Sequence, residues 1–314
     1  MVHARSFSFT DDSTSVAYPS VLPTVSSGTP SSPVAGPHSL ESALLLFQLR
    51  FAQSNWYQEL FQASRDPLQC SSTYIWQVCQ DMREWSESFP DTLPLAFKDF
   101  FDLELLYSYV YCLAPSCRVP AVSDYGKTLI FEYSIAYMQK IFPISRDPVN
   151  MAFYTYHDAL RVYFVGSQFL AVLSENQEQL LNGVVPYVTV VEGSPPPPPL
   201  PSRHTGMDNL NRSIKCITHI KETLKTFGHR WEDSQALHSS FEAQAGSMLA
   251  DLHQRKHLAD AISRSSQSPP SFRPQPVYDH AGNLVSDQWT SMSSVFDRAN
   301  ALQHGVEGSA PHGL

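Results

Sequence analysis

Apolar side chains return every three or four residues through nearly all of the stretch from 39 to 262, and prolines punctuate that rhythm. A recurrence near 3.6 gathers such residues on one face of a helix, whereas a half-buried strand needs strict alternation. The pattern therefore predicts an all-α, multi-helix fold. In SLESALLLFQLRFAQSNWYQELFQ, Leu45, Leu49, Ala52, Trp56 and Leu60 share a face, with Ser39 and Ser42 as candidate N-caps. SSTYIWQVCQDMREWSESF aligns Ile75, Val78, Cys79, Met82 and Trp85 and ends at Pro90. Residues 97–113, FKDFFDLELLYSYVYCL, align Phe100, Leu103, Leu106, Tyr107 and Val110 before Pro115. Ser123 opens a fourth helix with Leu129, Ile130, Tyr133, Tyr137 and Ile141 inward, and Pro143 is expected to close it.

Asp147 followed by Pro148 is a strong start, because the carboxylate accepts from free N–H groups and proline at the first helical position loses none. It opens 148–181, where Phe153, Tyr154, Tyr156, Tyr163, Phe164 and Phe169 make the segment apolar nearly all round. Such a segment is expected at the centre, as one helix or a pair broken near Gly166. VVPYVTVVE (184–192) is rich in β-branched residues, and GSPPPPPLPS (193–202) has polyproline II as its natural state. Helical rhythm resumes with Leu210, Ile214, Ile217, Leu224 and Phe227, with Gly228 as the stop. A last helix near 233–262 presents Leu237, Phe241, Ala245, Met248 and Leu252. The organisation expected is one helical domain over 40–262 with a proline-rich loop at 193–206. It lies between a disordered leader (1–39) and a mostly disordered tail (263–314) with a short helix near 287–302.

Composition narrows the partners. A formal charge of −9 argues against bulk attraction to a polyanion, since phosphate binding needs clustered Lys and Arg. The N-terminal residues lack the apolar run of a secretory signal, and no uncharged apolar stretch is long enough to span a bilayer. The expectation is a soluble, intracellular protein with no membrane partner.

The chemistry-bearing residues point away from catalysis. Cys70, Cys79, Cys112, Cys117 and Cys216 form no Cys-x-x-Cys; Cys112 and Cys117 are the nearest pair in sequence, with Pro115 between them. Small apolar or loop cysteines are the simpler reading than a zinc site. His253 and His257 are four apart, but Gln254 stands where a zinc hydrolase has glutamate, so a solvated helical face is favoured. His157 with Asp158 and Arg161 has the makings of a base, yet no Gly-x-Ser-x-Gly turn supplies a nucleophile; a hydrogen-bonded network is favoured. Neither phosphate-binding glycine motif is present. Asp99 with Asp102 and Glu84 with Glu87 read as solvated charge. No catalytic, cofactor-binding or metal residue is assigned, and no cofactor is expected. Two interaction features remain: the proline run, able to dock on an aromatic groove but more simply a loop, and the near-heptad helix at 209–227, which more simply packs into its own core.

SDYGKTLIFEYSIAYMQKIF and FYTYHDALRVYFVGSQFLAVLSENQEQLL resemble the middle regulatory domain of fungal binuclear-zinc-cluster transcription factors. Upstream YIWQVCQDMREWSESFP and FKDFFDLELLYSYVYCLAPSCRVP, and downstream NRSIKCITHIKETLKTFGHRW and FEAQAGSMLADL, resemble the same domain in the same order. The resemblance covers about 40–262. It implies an all-helical domain of a nuclear transcriptional regulator, often of secondary-metabolite gene clusters, in which a separate N-terminal six-cysteine, two-zinc cluster reads DNA. Here the first cysteine is Cys70, inside the helical region, so no DNA-contact residue carries over.

The expectation is therefore a regulator that works through protein contacts, with a full-length zinc-cluster factor or with itself, and does not bind DNA directly alone. The chain is then either a shortened regulator or part of a longer gene product. The alternative of a different class is a small-molecule-binding protein or enzyme of the same pathway, using an aromatic-lined pocket around His157 and Arg161.

Overall fold

The computed structural model describes residues 38–61, 66–151, 154–188, 193–202 and 206–267, and among them only helices and their connections occur. In order these are α1 (His38–Phe61), α2 (Ser71–Glu87), α3 (Leu95–Leu113), α4 (Asp124–Arg146), α5 (Pro148–Met151), α6 (Tyr156–Glu175), α7 (Gln177–Leu181), α8 (Asn209–Gly228) and α9 (Glu232–Gln267). The all-α, multi-helix fold expected from periodicity is what forms. The expected leader up to residue 37, the 287–302 helix and most of the expected tail lie outside the described residues, while residues 38 and 39, expected in the leader, open α1. Contacts divide the chain after Asp260: the helices up to that point make one compact unit, and the described part of the second is the last turns of α9. No helix among the described residues is long and apolar enough to cross a membrane.

Helix α4 occupies the middle, packing on α3, α6 and α8. Its Leu129, Ile130, Phe131, Tyr133, Tyr137 and Ile141 are all buried, together with Val162, Val165 and Phe169 of α6 and Ile217, Ile220 and Phe227 of α8. Phe241, Ala245 and Leu252 bring α9 onto the same core. Each such large side chain stabilises the fold by about 1.5–3 kcal/mol through removal of apolar surface from water.

Several sequence expectations are corrected. Pro143 does not close α4, which continues through it to Arg146. The proline ring already holds a helical φ, so the cost is one lost hydrogen bond near the helix end. Buried Ile141 and Ser145 keep that last turn packed, with Ser145 Oγ donating to the Phe142 carbonyl at 2.8 Å. On α3 the inward ring is Phe101, 1% exposed, while Phe100 is 36% exposed. On α2 the buried face is Ile75, Trp76, Cys79 and Met82, with Val78 and Trp85 only partly covered. Ser39 and Ser42 fall inside α1, which begins at His38.

The 148–181 segment is not the single central helix expected, and it does not break at Gly166. Helix α5 lasts four residues, and α6 restarts where the Asp158 carboxylate accepts from the Thr155 N–H at 2.7 Å and its hydroxyl at 3.1 Å. Gly166 sits mid-helix for a different reason. A Cβ there would lie 2.7 Å from Phe241 Cε2 and 2.9 Å from Ile220 Cγ2, so the missing side chain is what lets α8 and α9 close on α6.

Candidate functional site

Two clusters inside the bundle hold the buried charged side chains Glu104, Glu132 and Arg212. Glu104, 2% exposed on α3, accepts from Arg50 of α1 at 2.8 Å and from Arg161 of α6 at 2.6 Å. Gln53, also buried, accepts from Arg50 at 2.6 Å and donates to Ser108 Oγ at 2.7 Å. Arg161 further approaches Asp158 at 3.5 Å and stacks over the Tyr107 ring, 4.9 Å from its centroid. Burial pushes the Glu104 carboxyl up, but the Arg161 and Arg50 charges and their hydrogen bonds outweigh it and hold it below the usual range. Burial also works against the Arg161 charge, and Glu104 beside it overrides that, so the guanidinium is held protonated. The second cluster joins α8 to α4: Arg212 forks onto both carboxylate oxygens of buried Glu132 and donates to Asn209 Oδ1 at 2.6 Å. Bidentate pairing of this kind satisfies both buried charges and fixes one helix against another.

These clusters decide the sequence-nominated residues. Arg161 is committed to Glu104, while His157, three residues after Tyr154, points to an exposed position on α6. The cavities found near α2, α4 and α8 are lined by other residues than these two. Cys112 does not face Cys117, which is exposed; its neighbour is Cys79, with the sulfurs 3.6 Å apart in the α2–α3 interface. Burial pushes the Cys79 and Cys216 thiols up, disfavouring the thiolate that reacts or binds metal. His253 and His257 are both exposed on α9. Asp99 and Asp102 share Lys140 at 3.6 and 2.9 Å near the surface. Among the described residues no group of three or more His, Cys, Asp or Glu is gathered as a metal site would require.

Sequence reasoning passed over Glu104, Glu132 and Arg212. For the two glutamates the signal was present: each is a charge set between apolar residues, as in FDLELL and IFEYS, which no solvated helical face explains; Arg212, between Asn211 and Ser213, carries no such local mark.

The proline-rich loop is the most unusual surface element. Prolines at 195–199 fix φ, and each residue from 194 to 198 precedes a proline, so the chain is driven into an extended left-handed helix. It does not project freely. Tyr125 Oη donates to the Pro198 carbonyl at 2.6 Å and Tyr133 Oη to the Pro199 carbonyl at 2.8 Å. Thr73 and Ser194 hydroxyls lie 3.3 Å apart, and Leu200 packs against the main core. Pro198 is buried. Tyr133 is itself steadied by stacking on Tyr109, centroids 4.7 Å apart.

Beside this strap, where α2 and α4 begin, an open cavity of about 480 Å³ is lined by Ser71, Thr73, Trp76, Asp124, Tyr125 and Tyr187, among others. Its size suits a small organic molecule, and its walls mix hydroxyls with aromatic rings. Tyr187, 92% exposed, stands at its rim.

No protein-family model, curated protein or solved structure matches this chain.

Proposed function

We propose that the chain is a transcriptional regulator, or a regulator-like protein, of the fungal zinc-cluster class, acting in the nucleus through protein contacts rather than catalysis. A secondary-metabolite gene cluster is the setting the sequence resemblance implies. The observation that carries this reading is how the interior polar groups are used. Glu104 and Glu132, with Arg50, Arg161 and Arg212, are consumed in ties between helices, which is the use a scaffold makes of buried charge. The all-helical body also accords with the regulatory domain that the resembling blocks describe.

The test is co-purification. A tagged chain expressed in a filamentous fungus should retain a full-length zinc-cluster factor, or an untagged copy of itself, through washing at physiological salt. Retention of neither, by mass spectrometry and by a two-tag experiment, would remove the basis for this function.

A second reading is favoured by one observation, the 480 Å³ cavity at the starts of α2 and α4. There the chain would be a small-molecule-binding protein or enzyme of the same pathway, with its site at Trp76 and Tyr125 and not at His157 and Arg161. Saturable quenching of tryptophan emission by a metabolite, abolished in Trp76→Leu and accompanied by turnover, would favour the enzyme.

A further inference from the structure

We infer that residues 194–202 form a pre-set polyproline II ligand, displayed on the helical body for a partner domain whose groove is walled by aromatic rings. The inference rests on the protein-contact reading above and deepens it by naming a class of partner.

Three observations carry it. The conformation is imposed by the prolines themselves, so no folding step is needed to present it. The strap is held from one side: Tyr125 and Tyr133 take the Pro198 and Pro199 carbonyls, Pro198 is buried and Leu200 packs on the core. The side left open has the period of the helix. Gly193, Pro196, Pro199 and Ser202 are exposed while the residues between them are partly or wholly covered. With three residues per turn, Pro196 and Pro199 stand one above the other on the outer face.

That spacing is what domains reading extended proline helices use: two prolines, i and i+3, seated in a groove lined by aromatic rings. The stretch 193–202 carries no charge, so the complementary groove is aromatic and uncharged where it meets the outer face. A free proline-rich segment keeps its local conformation but still loses the freedom of its flanks on binding. Here the body already anchors the segment at Pro198, Pro199 and Leu200, so that remaining cost is met before the partner arrives. Readers that need Pro198 are excluded while the strap is seated, because its ring is already enclosed.

The experiment uses the full chain and a panel of purified SH3, WW and EVH1 domains, with affinity read by calorimetry. At least one class should bind. Pro196→Ala with Pro199→Ala should weaken that binding by about tenfold or more, the loss expected when both reading prolines go. These two residues are exposed, so helical content and melting temperature should not change. A second variant, Tyr125→Phe with Tyr133→Phe, loosens the strap and should weaken or leave binding unchanged. Binding by no member of the panel, or binding indifferent to the outer-face prolines, overturns the inference. So does tighter binding in the tyrosine variant, which would mean the strap must leave the body to be read. Failure here would leave co-purification with a zinc-cluster factor intact, so the two ideas fail separately.

Discussion

At the residue scale, the cysteines show how position sets reactivity. Cys70 and Cys117 are exposed, whereas Cys79, Cys112 and Cys216 are buried, and burial pushes the Cys79 and Cys216 thiols well away from ionisation. A disulfide reagent needs both access and a thiolate. Treatment of the native protein with an aromatic disulfide such as Ellman's reagent should therefore release two equivalents of chromophore quickly, and the other three only after denaturation. Rapid release of four or five from the folded chain would show that the α2–α3 interface, where Cys79 and Cys112 sit 3.6 Å apart, is not closed as described. The same scale shows what a sequence conceals. Cys112 and Cys117 are close in the chain, but Leu113 ends α3 between them, so the fold turns one inward and the other out. Gly166 reads as a helix breaker until α8 and α9 are placed against it, because its role lies in partners more than 50 residues away.

Between elements, the fold is tied by charge as well as by apolar faces, and Glu104 is the clearest case because three helices meet on its carboxylate. Replacing Glu104 with Gln keeps the shape but leaves Arg50 and Arg161 with a neutral partner. The expected loss is on the order of 3 kcal/mol in urea unfolding, toward the low end for a broken buried pair because Arg50 can reach water. The sign of the pH dependence follows from the lowered carboxyl. The unfolded chain, with the ordinary value near about 4.3, takes up the proton first, so this stabilisation is present above that pH and fades as pH falls through the folded-state value. Wild type should lose stability on that acid limb more steeply than Glu104→Gln. Equal slopes, or a loss under about 1 kcal/mol, would show that the carboxylate is not what fastens α1 and α6 to α3.

At this scale the helices were legible in the sequence because periodicity reports a single face locally. Leu45, Leu49, Trp56 and Leu60 on α1, and Ile217, Leu224 and Phe227 on α8, are buried as their spacing implied. Phe100 and Phe101 were not separable, since adjacent rings both satisfy the pattern and only the packing of Trp85, Phe89 and Leu93 around Phe101 chooses between them. The strap was legible as a polyproline segment but not as a docked one, because Tyr125 and Tyr133 lie more than 60 residues before it. Nothing local marks a tyrosine as the donor to a distant carbonyl.

Over the whole molecule, the balance of charge determines what the chain can attract. There are 21 Lys and Arg against 30 Asp and Glu, and many of the basic side chains among the described residues face a carboxylate. Arg118 pairs with Glu59, Lys127 with Glu175, Lys140 with Asp102, Arg146 with Glu222, Lys221 with Glu242 and Arg255 with Glu178. A duplex is held by cations that displace condensed counterions, so a surface whose cations already face carboxylates has few to offer, and its excess negative charge repels the phosphates. The chain alone should therefore give no sequence-selective shift of duplex DNA, and any retention at low salt should vanish by about 0.15 M, as weak phosphate contacts do. Adding the zinc-cluster factor recovered by co-purification should restore a selective shift, with this chain as a slower-migrating addition to that factor's complex. A salt-resistant, sequence-selective shift by the chain alone would instead place the DNA reader within these 314 residues, and with it a basic surface that the pairing of Arg118, Lys127, Lys140 and Arg255 does not leave open.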